Sequence, residues 1–121
     1  MTILNPHMLE KVRSPALMSG VQGMPCTLRI ASFLGLPCAP MDTVVACHLP
    51  VFGKGTATKV SDLFTVAGCA TCHRILDGKE GVELRHRYPH AYTERLLLAL
   101  CETQARHVMA GRIVVPDGEI V

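Results

Sequence analysis

Apolar residues in this chain gather in short runs cut by Pro and Gly, and only one stretch sustains a helical repeat. Thr27 to Phe33 has the composition of a strand, and Gly35-Leu-Pro37 is a turn that would carry Cys38 back toward Cys26. Thr43-Val-Val-Ala-Cys-His48 is a second apolar, partly β-branched run, stopped by Pro50 and a loop rich in Gly, Lys and Thr from Gly53 to Lys59. Leu63 to Ala67 reads as the returning strand. Gly68 then turns the chain into a short helix carrying Cys72, His73 and Asp77 and ended by Gly78. Tyr88-Pro89 opens the longest helical pattern, with Leu97, Leu100, Cys101, Gln104 and Val108 on roughly one stripe and Gly111 as its terminator. Ile113-Val-Val-Pro116 suits a short strand running into a turn. Met1 to Pro25 mixes Pro, Gly and Met without lasting periodicity and reads as a loosely ordered arm.

A length of 121 residues, 49% hydrophobic, suits one compact domain and is short for two. Aromatic residues make up only 4% and Trp is absent, so the core must come from aliphatic side chains, and cross-linking by a metal would help a core of this kind. The net charge of +2 permits a nucleic-acid partner without arguing for one. No run approaches the roughly 18 apolar residues of a membrane span, and Met1 to Ser14 lacks the charged start and apolar stretch of a signal peptide. A soluble, cytoplasmic protein with no membrane partner is the expectation. In a reducing compartment the six cysteines are expected as thiols and metal ligands, although an even count keeps disulfides open.

Cys26 with Cys38, and Cys69-Ala-Thr-Cys72, form two separated pairs, each on a turn. Four thiolates so arranged match a tetrahedral structural zinc that clamps the two turns together. The Cys69 and Cys72 spacing is a strong half-signal, while eleven residues between Cys26 and Cys38 are unusual for a knuckle and need a hairpin to close them. Two other readings stand beside zinc: a redox dithiol at Cys69 and Cys72, or Cys26 and Cys38 as buried small hydrophobes. Cys101, on the apolar stripe of the long helix, is expected in the core.

His73 and Asp77 are four apart, which on a helix puts both on one face, close enough to hold one divalent cation if His48 approaches the same face. Such groups suit phosphodiester hydrolysis: a cation polarises the phosphoryl oxygen while a neutral imidazole takes a proton from water. Taken singly, a His ending an apolar strand is a structural residue more often than a catalytic one, and an Asp before a Gly is often a helix-end residue.

The order Cys26, Cys38, Ala46-Cys47-His48, a Gly/Lys/Thr loop, Asp62-Leu63 and Cys69-Ala-Thr-Cys72-His73 resembles the HNH, or ββα-metal, endonucleases with a structural zinc. More narrowly, with Thr103-Gln104 in the C-terminal helix, it is similar to the YbcO-like prophage nuclease family. The likeness covers roughly Cys26 to Val115. It implies an α+β fold: a small zinc-stabilised ββα-metal module with its core at about 43–78 and a long C-terminal helix at about 89–110, in a single domain at 26–121 behind an arm at 1–25. It also implies His48 as general base, and His73 and Asp77 as ligands of a catalytic cation, Mg2+ or another divalent ion. Asp62, where the pattern usually has Asn, would support the imidazole, and Cys26, Cys38, Cys69 and Cys72 would hold Zn2+ away from the scissile bond. Many HNH enzymes place Asp or His just before the base, whereas this chain has Cys47, which as a ligand would favour a soft ion over magnesium.

Lys54, Lys59 and Arg74 would surround the cleft and neutralise phosphates, while Arg85-His86-Arg87 with His90 reads as a solvent-facing basic group. The functional expectation is a metal-dependent DNA endonuclease serving phage DNA processing or recombination, with DNA and a host or phage recombination protein as partners. A zinc-stabilised nucleic-acid-binding module without catalysis and a thiol redox protein are the competing classes.

Overall fold

The computed structural model describes residues 11–50 and 60–121. Helix α1 spans Pro15–Ser19, and a 3₁₀ turn follows at Ala31–Leu34. Strand β1 is Val45–His48, and a 3₁₀ turn at Asp62–Phe64 leads into strand β2, Thr65–Gly68. Helices α2 (Ala70–Leu76), α3 (Leu84–Arg87) and α4 (Pro89–Met109) complete the order. Mixed α+β architecture is therefore present, with a sheet of two antiparallel strands in which Ala46 faces Ala67 and His48 faces Thr65. No helix among the described residues is long and apolar enough to cross a membrane.

A two-stranded ribbon is marginal alone and needs cover on its faces and edges. All four residues of β2 are buried. Its free edge is closed by side chains where a third strand would otherwise pair. The Thr27 Oγ1 and N–H both donate to the Ala67 carbonyl, at 3.0 and 2.8 Å, and the Ala67 N–H donates to Thr27 Oγ1 at 3.1 Å. Thr103 of α4 meets Thr27 hydroxyl to hydroxyl at 2.9 Å, and Gln104 donates to the Leu63 carbonyl at 2.9 Å. Unpaired strand groups are thus satisfied without a further strand. Gly68 allows the close approach above β2: a Cβ there would lie 2.7 Å from Cys47 Sγ and 2.8 Å from Leu28 Cδ1. Leu28, Ile30, Leu84, Val21 and Val66 are the largest fully buried aliphatic side chains. Each stabilises by about 1.5–3 kcal/mol relative to exposure.

Several expectations are corrected. Thr27 to Phe33 is not a strand, because Arg29 turns into the left-handed region at φ 49° and Ala31–Leu34 coils into a 3₁₀ turn. Residues 11–25 pack into the body and form no arm. Ser14 caps α1 by accepting the Leu17 N–H at 3.2 Å, Pro15 presets its first turn, and Leu17, Val21 and Met24 are buried. Ile113–Val115 forms no strand. Helix α4 runs close to its expected bounds, yet its buried residues are Tyr92, Ala99, Thr103 and His107. Leu97 and Cys101 are exposed, so Cys101 is not a core thiol. Small Ala99 and hydroxyl-bearing Thr103 win the inward face because α4 must come close to β2 and satisfy its edge.

Candidate functional site

Four sulfurs meet where three segments converge. Cys26 and Cys38 flank the 3₁₀ turn at Ala31–Leu34, Cys69 caps α2, and Cys72 lies in its first turn. Their Sγ atoms all lie within 4.8 Å of one another, and Cys38 Sγ is 3.8 Å from Cys72 Sγ. Zn–S bonds of about 2.3 Å set tetrahedral sulfurs about 3.8 Å apart, so the donor set fits a zinc ion. Backbone amides converge on the same atoms. Arg29 and Cys69 N–H donate to Cys26 Sγ at 3.5 and 3.4 Å, Cys72 and Ala39 N–H to Cys69 Sγ at 3.4 and 3.3 Å, and Ala31 N–H to Cys72 Sγ at 3.4 Å. Amides aimed at sulfur stabilise thiolates and orient them. The left-handed turn at Arg29, which ended the expected strand, is what delivers its N–H to Cys26.

Proton affinities within the cluster diverge. A hydrogen bond from the Cys72 thiol, aided by the Arg29 and Cys69 amides, brings Cys26 down to about 5 against the effect of burial. Burial pushes Cys38 up to about 11, with the charge of Cys26 and Cys69 adding to it. Cys72 is raised as well, first by donating to Cys26 and then by burial. Close sulfurs without a cation resist sharing negative charge, and a dication at their centre favours ionisation of all four. Cys47 is not part of this group. It is buried on the core side of β1 against Gly68, and its thiol donates to the Val45 carbonyl at 3.5 Å.

His48 ends β1 with its side chain partly exposed, and its Nε2 lies 2.9 Å from Asp62 Oδ1. Asp62 is buried and heavily tied. The Ser14 N–H donates to its Oδ2 at 2.7 Å and Arg13 Nη1 lies 3.8 Å from Oδ1. Burial alone would raise this carboxyl, but the Ser14 amide, His48 and Arg13 outweigh it and hold it below the usual carboxylate range. The stability it contributes is accordingly present at neutral pH and lost as the pH falls below about 4. Arg13 and Ser14 were missed in the sequence, although Ser14-Pro15 is a helix-start signal that places them on a fixed element.

His73 Nε2 lies 3.1 Å from Asp77 Oδ2, one helical turn on, with both side chains partly exposed. Donors in adjacent positions around an octahedral ion of about 2.1 Å bond length are about 3.0 Å apart, so this pair fits two positions of such a shell. Among the described residues, the four cysteines are the one group of three or more His, Cys, Asp or Glu gathered closely enough to hold a metal. His48 with Asp62 and His73 with Asp77 are thus two separate pairs, and among the described residues no third His, Cys, Asp or Glu joins the second closely enough to share a metal. Arg74 is exposed and lies 3.7 Å from Glu80. Lys54 and Lys59 lie outside the described residues.

A cavity of about 620 Å³ opens beside Asp77, between the end of α2, helix α3 and Pro50 after β1. Ile75, Leu76 and Tyr92 line it together with Arg85 and His86. No family model matches the chain, and no curated protein or solved structure does either.

Proposed function

We propose that the chain is a zinc-clamped nuclease of the HNH type that hydrolyses phosphodiester bonds in DNA, with His48 as general base. The observation that carries the reading is the 2.9 Å contact between His48 Nε2 and the Asp62 carboxylate, at the end of a strand that precedes a strand and a helix bearing His73 and Asp77. A carboxylate held ionised fixes the imidazole ring and draws its proton to Nε2, which leaves the basic lone pair on Nδ1 to receive a proton from water. Asp62 cannot turn away from this task, because the Ser14 amide holds its other oxygen.

His73 Nε2 and Asp77 Oδ2 would hold a divalent cation whose shell waters and a DNA phosphate complete. Such an ion supplies Lewis-acid stabilisation of the phosphoryl oxygen and the leaving group. Cys26, Cys38, Cys69 and Cys72 would hold zinc in a structural role, since four protein donors leave no open position for substrate. With Cys47 buried away from it, the cation would draw on the His73 imidazole and the Asp77 carboxylate among the described residues, a borderline and a hard donor that suit magnesium or another divalent ion. Service in phage DNA processing or recombination, with a recombination protein as partner, rests on the resemblance in the sequence.

The second reading is a zinc-stabilised nucleic-acid-binding module without catalysis. It is favoured by the two-ligand character of the His73 and Asp77 pair. Incubating supercoiled plasmid with the protein in magnesium, manganese, nickel or chelator, alongside His48→Ala and with elemental analysis for zinc, separates the two. Cation-dependent nicking that His48→Ala abolishes, in a protein holding one zinc, is the expected result. Zinc without any nicking selects the binding module.

A further inference from the structure

The cavity beside Asp77 has a carboxylate on one wall and a guanidinium on the other. Arg85, from α3, lies with its Cζ 5.9 Å from the centroid of the Tyr92 ring. That ring is buried and itself packs at 6.2 Å against Phe33. Tyr92 therefore acts as a fixed plate beneath the cation, and the plate limits the positions the guanidinium can take. No carboxylate among the described residues lies within ion-pair distance of Arg85, whereas Arg29, Arg74 and Arg106 each have one. Arg85 also lines an adjoining apolar groove of about 440 Å³ formed with Leu49, Leu96 and Leu97, so it stands on the ridge between a polar cavity and an apolar one.

We infer that Arg85 is the phosphate-gripping residue of the substrate site: its guanidinium takes a phosphodiester oxygen of a nucleic-acid strand whose neighbouring phosphate group reaches Asp77 across the cavity. The choice of ligand rests on the nuclease reading. An exposed guanidinium set over a buried ring, with no competing carboxylate among the described residues, presents its N–H fork to a phosphate, and an adjoining apolar groove accommodates the sugar of the same strand. Arg85 is exposed, as are His86, Arg87 and His90, in keeping with the solvent-facing basic group expected there, and Arg74, paired with Glu80, is the lesser contributor.

The test uses the full zinc-loaded chain without added magnesium or manganese, with His48→Ala as the background, so that binding is read without cleavage. The affinity of a fluorescein-labelled 16-base-pair DNA is followed by anisotropy as salt is raised, with a mononucleotide as competitor. Arg85→Ala is expected to weaken duplex binding about tenfold at low salt and to reduce the salt slope by about 0.9, one phosphate contact's share. Arg106→Ala, on the far end of α4, is expected to change binding less than twofold. Unchanged affinity and slope in Arg85→Ala, or an equal loss in Arg106→Ala, overturns the assignment. Full competition by mononucleotide at concentrations matched in phosphate also overturns it, because the site then serves a free nucleotide. Absence of plasmid nicking would sink the nuclease reading while leaving an Arg85-dependent affinity standing, so the two failures are distinguishable.

Discussion

The cysteine cluster and the histidine–carboxylate pairs lie around the same short ribbon, yet they are organised in opposite ways. Four sulfurs from three segments share one volume within 4.8 Å, and backbone amides orient three of them. The two histidines remain in separate pairs, each with one carboxylate at about hydrogen-bond distance. A structural metal site must be closed by protein ligands to contribute to folding, whereas a hydrolytic site must stay open for water and substrate. The cysteine cluster and the candidate catalytic surface are therefore separable in principle: a metal bound at the first would hold the chain, and the second sits on what would be held.

Removing the clamp should have the largest effect. Cys72→Ser, or prolonged chelation of the parent, is expected to abolish the cooperative thermal transition seen by circular dichroism, since zinc binding in small domains is worth about 10 kcal/mol or more. Cys47→Ala should keep one bound zinc by elemental analysis and lose only about 1–2 kcal/mol. Equal damage from both would break the distinction between ligand and core cysteines.

His48→Ala should lower plasmid nicking by about a thousandfold while zinc content and thermal midpoint stay near the parent's. A variant that loses zinc along with nicking would show that the two regions are not separable. Gly68→Ala, which drives a methyl group into Cys47 and Leu28, should cost about 1–3 kcal/mol by denaturant titration without changing zinc stoichiometry. Thr103→Val keeps the shape but strips the hydroxyl that meets Thr27, and should cost about 1–2 kcal/mol in the same assay.

Acid supplies the mildest test. His107 is buried, its Nδ1 accepts a hydrogen bond from Arg112 Nε at 2.8 Å, and its Nε2 has no hydrogen-bond partner among the described residues. Burial first, and the Arg112 charge second, hold its pKa below the ordinary imidazole value. The unfolded chain then binds a proton more readily than the folded one, so stability is full above about pH 6.5 and declines as the pH falls below it. His107→Gln should show a smaller drop in thermal midpoint between pH 7.5 and pH 5.5 than the parent. If the cysteine cluster holds zinc, competition of protons for its thiolates would contribute to the decline that persists in His107→Gln.

Legibility in the sequence followed the range of the interactions involved. Tyr88-Pro89 and Gly111 marked the ends of α4 because start and stop signals act within a turn. Cys69 and Cys72 were readable as candidate ligands because their spacing is local. Cys26 with Cys38 was the weaker half, since the turn that joins them depends on Arg29 at positive φ, an unusual conformation for a non-glycine residue. The inward face of α4 was misread for a different reason. Leu97 and Cys101 look apolar enough to be buried, and of that stripe Leu100 does pack partly buried against the core, but the helix faces a strand edge that needs Thr103 and a close approach at Ala99. Periodicity ranks faces by hydrophobicity and carries no information on which partner needs a hydroxyl.

What the chain determined by itself was the inventory and its local order: a β-branched run ending in His48, a Cys-x-x-Cys pair at a helix start, His73 and Asp77 one turn apart, and a long terminal helix. Tertiary structure alone decided that Ser14 and Arg13 would brace Asp62, that Cys47 would face the core, and that Arg85 would lie against Tyr92 at the mouth of a cavity. The physical reason is distance along the chain. Spacings within a turn are set by backbone geometry, whereas contacts between residues 48 positions apart, such as Ser14 and Asp62, exist only after the core has chosen how its segments pack.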